Sequence, residues 1–239
     1  MNGREPDARV PLPEGSVRAE FISRSKRFLI QARFRQEEIG VHTNNSGSML
    51  GLLRPGAEIL VSPARNPLRK LPWTLELARL GELWVGVNTQ MPNRMLRVAW
   101  ETGTIPELRD WGSYRAEVAA GESRLDARLE SGGRRLWVEA KNVTLVEDGV
   151  AWFPDAETER GRKHLRELAA LARGGDEVAC FYLIQRADAQ CFGPADFIDP
   201  EFARLFYRAM KAGVRIWPYR AEINEKWIGL GSKLPLVRP

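Results

Sequence analysis

Ser123-Arg-Leu-Asp-Ala-Arg-Leu-Glu-Ser-Gly-Gly-Arg-Arg-Leu-Trp-Val-Glu-Ala-Lys-Asn-Val143 is the stretch whose reading decides the fold. Two alternating runs flank Gly132-Gly133, and both glycines accept the positive φ of a two-residue hairpin turn. Pairing Ser131 with Arg134 sets the register and puts Asp126 directly across from Glu139, on one face with Cβ atoms about 5 Å apart. Lys141, two residues beyond, points to the same face. Leu125, Ala127, Leu129, Val138 and Ala140 are expected on the other. Two carboxylates held this close repel each other unless a cation lies between them. A divalent ion there would bind a phosphate oxygen and acidify a water, and Lys141 would orient that water or stabilise charge on the phosphate. On spacing alone, an ordinary Asp/Glu/Lys salt-bridge cluster is the competing reading.

Outward from the hairpin, strands are expected at Tyr114 to Ala119 and at Val178-Ala-Cys-Phe-Tyr-Leu-Ile-Gln185, the latter apolar enough to be covered on both faces. Helices are expected from Asn93 to Thr102, from Thr158 to Arg173 and from Pro200 to Ala212, with a further strand from Val214 to Tyr219. This order implies a mixed sheet with helices on both sides. Glu117, on the preceding strand, is a candidate third carboxylate, and an exposed strand charge otherwise. Arg124 and Arg128 share the Asp126 face. Arg160, Lys163, His164 and Glu167 form one stripe of the second helix. Taken alone that stripe is a solvated face, and beside a metal site it becomes a phosphate clamp.

The first third reads as β structure: Val17 to Arg24, Arg27 to Phe34, Ile39 to His42, Glu58 to Ser62, Leu71 to Glu76 and Leu83 to Val87, with turns at Asn44-Asn-Ser-Gly47 and Arg54-Pro-Gly56. Short strands at this spacing suggest a small oligonucleotide-binding (OB) type barrel. The domains are placed at residues 1–86 and 87–239. Of the net charge of +5, the first 90 residues supply +4 (13 Lys and Arg against 9 Asp and Glu), a weak pointer to a polyanionic partner. Arg27, Arg69 and Lys70, with Arg24 and Lys26, are the candidate phosphate contacts. Phe21, Phe28, Phe34 and Trp73 are aromatics for base stacking or, for most of them, barrel core.

Composition excludes several classes. With two cysteines, no Cys-x-x-Cys and only His42 and His164 as histidines, a zinc cluster has no ligands. A carboxylate site favours magnesium or manganese. Cys180 lies in an apolar run and reads as a buried thiol. No run approaches a membrane span and the start, Met1 to Val10, is polar, so a cytoplasmic location without membrane contact is expected. Oligomeric state is left open, a homodimer included. No Gly-rich phosphate loop, Ser/His/Asp set or dinucleotide fingerprint is present.

Phe153-Pro-Asp-Ala-Glu-Thr-Glu-Arg-Gly-Arg-Lys-His-Leu-Arg-Glu-Leu168, with Ser123-Arg-Leu-Asp126, Val138-Glu-Ala-Lys-Asn-Val-Thr-Leu145 and Pro92-Asn-Arg94, resembles the sugar fermentation stimulation protein family, SfsA. Arg27-Phe-Leu29, Ser46-Gly-Ser-Met49, Pro55-Gly56 and Arg69-Lys70 extend the likeness over nearly the whole chain. The resemblance implies an OB-like domain joined to a domain similar to the PD-(D/E)xK nucleases (restriction-endonuclease-like), an α+β protein overall, with DNA as partner and RNA not excluded. Asp126 matches the motif's aspartate, Glu139 and Lys141 its Glu-x-Lys, and Lys163 and His164 fall in the helix that follows. The implied activity is endonuclease-like, divalent-metal-dependent phosphodiester hydrolysis, with Asp126 and Glu139 as metal ligands. The alternative is a DNA-binding regulator of sugar utilisation that keeps the fold without cutting. Many relatives have His-Cys-Pro-Asn-Thr-Gly where this chain has His42-Thr-Asn-Asn-Ser-Gly47, so no thiol role carries over. They often have a glutamate where this chain has Val98, which leaves Glu117, or Glu101 one turn on, as the accessory carboxylate.

Overall fold

The computed structural model describes residues 7–49, 51–64, 66, 68–121 and 123–237, so the first six residues of the polar start lie outside them. A short strand, β1 (Arg9–Pro11), precedes six barrel strands: β2 (Val17–Ser25), β3 (Leu29–Phe34), β4 (Glu37–His42), β5 (Glu58–Pro63), β6 (Trp73–Leu80) and β7 (Leu83–Gly86). Their order is β4-β3-β2-β5-β6-β7, and a β4–β6 pairing closes β2 to β6 into a five-stranded OB barrel. Alternation along β3 sends Ile30 and Ala32 inward to meet Phe21, Val41, Leu75 and Val85. β3 starts at Leu29 and not at Arg27, because Lys26 and Arg27 both take positive φ in the turn that precedes it.

The second domain contains α1 (Met91–Glu101), β8 (Ser113–Ala120), β9 (Ser123–Ser131), β10 (Arg134–Val143), β11 (Leu145–Glu147), β12 (Val150–Phe153), α2 (Glu159–Arg173), β13 (Glu177–Ile184), β14 (Cys191–Pro194), α3 (Pro200–Lys211), β15 (Arg215–Ile223) and β16 (Trp227–Lys233). Its main sheet runs β1-β16-β15-β13-β10-β9-β8, with β10, β13 and β15 parallel. Met95, Leu96 and Ala99 of α1 pack on one face with Ala127, Val138 and Phe181. Leu165 and Leu168 of α2, with Phe202 and Phe206 of α3, pack on the other with Trp137, Cys180 and Tyr182. The mixed sheet covered on both faces is the expected architecture. β11, β12 and β14 form a small extra sheet that was not anticipated.

The boundary expected near Gly86 falls at the end of β7. The N-terminal assignment differs, because β1 pairs with β16, Val10 opposite Ile228, and Ala8, Val10 and Leu12 fill the core under α1. The barrel is thus inserted between the first strand of the second domain and the rest of it. Pro11 costs nothing in an edge strand, where an amide is dispensable. Leu60, Leu77 and Trp84 of the barrel pack into that same core, so apolar burial joins the domains. At the seam the Gly86 amide donates to the Gln185 carbonyl at 3.3 Å. A Cβ on Gly86 would stand 1.8 Å from Gln185 Oε1 and 2.5 Å from its Cδ. Gly86→Ala is therefore expected to lose roughly 1–3 kcal/mol of stability, as overpacking does. Urea unfolding of the variant checks this, and an unchanged midpoint would mean Gln185 yields without strain.

Candidate active site

The glycine turn performs as its residue types require, with φ of 56° at Gly132 and 80° at Gly133. The β9–β10 register runs from Ser131–Arg134 to Ala127–Val138, and there the ladder stops. Asp126 and Glu139 are brought into one site, but not as the directly opposed pair expected. The neighbouring β8–β9 pairing likewise passes from Ala116–Ala127 to Val118–Leu125 without joining Glu117 to Asp126, and Glu117 sits at φ 53°. The Asp126 carboxylate fills the opening. Its Oδ2 accepts from the Ala140 amide at 2.8 Å, and its Oδ1 from Asn93 Nδ2 of α1 at 2.8 Å. The Ala140 amide, deprived of a strand partner, is thereby satisfied. This twist also moves Leu125 to the α2-side core with Trp137, away from Ala127 and Val138, contrary to strict alternation.

Glu139 is 3% exposed and faces α2. Its Oε1 accepts from Lys141 Nζ at 2.6 Å and from His164 Nδ1, while Lys141 Nζ lies 3.2 Å from that same ring nitrogen. Oε2 has no partner among the described residues. Burial opposes ionisation of Glu139, but the Lys141 charge and the His164 bond outweigh it and hold the carboxyl at about 2. Asp126 moves the other way, raised first by burial and then by the Glu139 charge. Burial works against the Lys141 ammonium, yet the carboxylates, Glu139 foremost, raise its pKa, so it is a cation at neutral pH. Cys180, behind Lys141, is pushed up to about 12 by burial and is an inert thiol, as expected.

The remaining predicted residues divide. Glu117 is turned outward, 3.5 Å from Arg124 Nη1, and is not brought to the carboxylate pair. Arg124, Arg160, Lys163 and His164 converge on one basic hollow of about 420 Å³. His164 itself is 4% exposed and bound to Glu139, so it positions the site where a surface phosphate contact was expected. The reason is that α2 lies against the sheet with its polar stripe over β10. Arg69 donates to the Leu71 and Trp73 carbonyls and to Thr74 Oγ1, bracing its own loop, and Lys70 next to it is exposed. Neither lines the wall of the site. Arg27 lines a cleft with Arg160 and Lys141. Asn93 was missed as a site residue; its only signal was its place in the Pro92-Asn-Arg94 segment.

Among the described residues no three His, Cys, Asp or Glu side chains form a cage for a metal. The donor set suits a hard cation that keeps water and substrate oxygens: two carboxylates, with Glu139 Oε2 buried and unclaimed. Asp126 and Glu139 are the side chains that would hold it.

Barrel and covered mixed sheet together define a two-domain protein, an OB barrel joined to a restriction-endonuclease-like domain. The chain belongs to the SfsA family: residues 22–87 match the SfsA N-terminal OB domain, and residues 90–227 match the sugar fermentation stimulation protein RE domain. It is 56% identical over 228 residues to the sugar fermentation stimulation protein homolog of Syntrophobacter fumaroxidans, covering 95% of this chain and 87% of that one. With the homolog of Maridesulfovibrio salexigens the identity is 57% over 229 residues, covering 94% and 95%. The fold is shared with the structure of Pyrococcus furiosus SfsA in complex with Ca2+, at a TM-score of 0.91 and 24% identity over 98% of this chain and 100% of that one. No helix among the described residues is long and apolar enough to cross a membrane.

Proposed function

We propose that the chain is a DNA-binding, divalent-metal-dependent phosphodiester hydrolase using magnesium or manganese. The observation that carries this reading is the buried pair Asp126 and Glu139 beside Lys141, with one Glu139 oxygen left unclaimed. The calcium complex of the Pyrococcus furiosus relative supports a divalent ion. Bound by Asp126 and Glu139, such an ion would supply Lewis acidity toward a phosphate oxygen and a more acidic water. Asn93 and the Ala140 amide fix Asp126; His164 fixes Glu139. Lys141, protonated at neutral pH, stabilises developing negative charge on the phosphate and does not act as the base.

The Lys141 charge and the His164 hydrogen bond on Glu139 also support the second reading, a DNA-binding regulator stable without a metal and unable to cut. Purified protein incubated with single-stranded, duplex and branched DNA and with RNA, in magnesium, manganese or EDTA, separates the two. Cleavage that needs metal and disappears in Glu139→Ala is expected. Binding with no cleavage under either metal would favour the regulator.

A further inference from the structure

A cleft of about 600 Å³ separates the barrel from the second domain. Arg24, Arg27 and the loop 45–48 form one wall, and Lys141 and Arg160 stand on the other. The cleft is pre-formed. Arg24 braces the loop by donating to the Asn45 and Gly47 carbonyls at 2.7 and 3.0 Å. Across the seam, Ser48 Oγ donates to the Asp155 carbonyl at 2.9 Å, and the Met49 amide donates to Asp155 Oδ2 at 3.2 Å. A Cβ at Gly47 would stand 2.8 Å from Asp155 Oδ2, so any larger residue there would have to push the Asp155 carboxylate off the Met49 amide.

At the barrel rim, the β2–β3 turn holds Lys26 and Arg27 at φ 47° and 60°, the left-handed backbone of a tight hairpin, with both side chains exposed. Phe28 follows, 48% exposed, whereas Phe21 is buried in the barrel core and Phe34 packs against it. Neither the Arg27 nor the Arg160 guanidinium is paired with a carboxylate among the described residues. Phe28 lies outside the lining of the cleft, next to Arg27 in the rim turn. An exposed ring at the rim and unpaired cations within are the chemistry that takes an unpaired base and its phosphates. A duplex offers no free base face to stack on.

Resting on the hydrolase reading, we infer that this cleft seats a single nucleic-acid strand, with a base stacked on Phe28, phosphates held by Arg27 and Arg160, and the strand led to Lys141. The test is fluorescence anisotropy of the full chain in EDTA with a labelled single strand of about 12 nucleotides, within OB site sizes. DNA and RNA strands and duplex DNA form the separate arms. Phe28→Ala is expected to weaken single-strand binding about 5- to 150-fold, the effect of losing a base stack, with Phe28→Trp near the parent and duplex affinity unchanged. Arg160→Glu is expected to weaken single-strand binding and flatten its salt dependence, as the loss of a phosphate contact does. Both side chains are exposed, so the variants keep the fold. Single-strand affinity unchanged in both variants, or a loss in Phe28→Ala that is equal on duplex, would overturn the proposal. Because binding is read without metal, a chain that never cuts would sink the hydrolase reading and leave this result standing.

Discussion

Lys141→Ala is expected to reduce metal-dependent cleavage by roughly a hundred- to a thousandfold, the cost of removing one preorganised charge partner from a reacting phosphate. Loss of equal size in metal-free binding would show that Lys141 grips substrate instead of acting on it. The same variant has a signature independent of activity. Glu139, 3% exposed, has its carboxyl lowered from 4.5 to about 2 in the fold, chiefly by the Lys141 charge acting against burial. A shift of that size corresponds to about 3 kcal/mol of stability. A depressed carboxyl stabilises the fold fully above about pH 4.5 and loses that contribution as pH falls toward 2. Removing Lys141 leaves Asp126 and Glu139 as neighbouring buried carboxyls without their compensating cation, so melting in EDTA at neutral pH is expected to fall by roughly 6–12 °C. Manganese titrated into the variant is expected to recover more of its melting temperature than it adds to the parent, since a divalent ion replaces the missing charge. A variant that melts like the parent would remove the ion-pair account. One that gains nothing from manganese would count against the carboxylates as metal ligands.

Asp199→Ala is expected to cost about 3 kcal/mol, although Asp199 is remote from the carboxylate pair. It is fully buried, and its carboxylate accepts from the Phe202 amide at 2.8 Å, the Thr158 amide at 3.0 Å and Arg162 Nε at 3.0 Å. One side chain therefore caps α3, anchors the start of α2 and receives the Arg162 guanidinium. Burial opposes its ionisation, but these donors hold the carboxyl below 3.8. Its contribution is thus present above about pH 3.8 and lost on acidification. Urea midpoints at pH 7 and pH 3 should converge between parent and variant, and a gap that persists undiminished at pH 3 would refute the charge-based account. Because α2 carries His164 and Arg160, the variant should also bind single strands less tightly.

Legibility followed the range of the forces involved. Gly132-Gly133 announced its turn locally, and one turn sets the register of the strands on either side down to Ala127–Val138. The opening beyond it depends on Asn93 reaching over from another element, and nothing in the alternation of β9 encodes that. The polar stripe of α2 was readable, but whether it meets water or Glu139 depends on how the helix lies on the sheet. Arg69 looked like a surface cation because carbonyl partners supplied by its own loop leave no mark in composition. β1 escaped notice for a simpler reason: three residues ending in proline carry almost no strand periodicity.

That short strand bears on how the chain is made. Arg9–Pro11 are among the first described residues to be synthesised, and their partner β16 is the last strand to appear. During elongation the barrel has all its strands long before the main sheet can close, so Ala8, Val10 and Leu12 must wait, uncovered, for a surface that does not yet exist. A fragment starting at residue 87 would never receive them. It would present β16 as a bare sheet edge beside an apolar gap, an invitation to pair edge to edge that β1 removes in the whole chain.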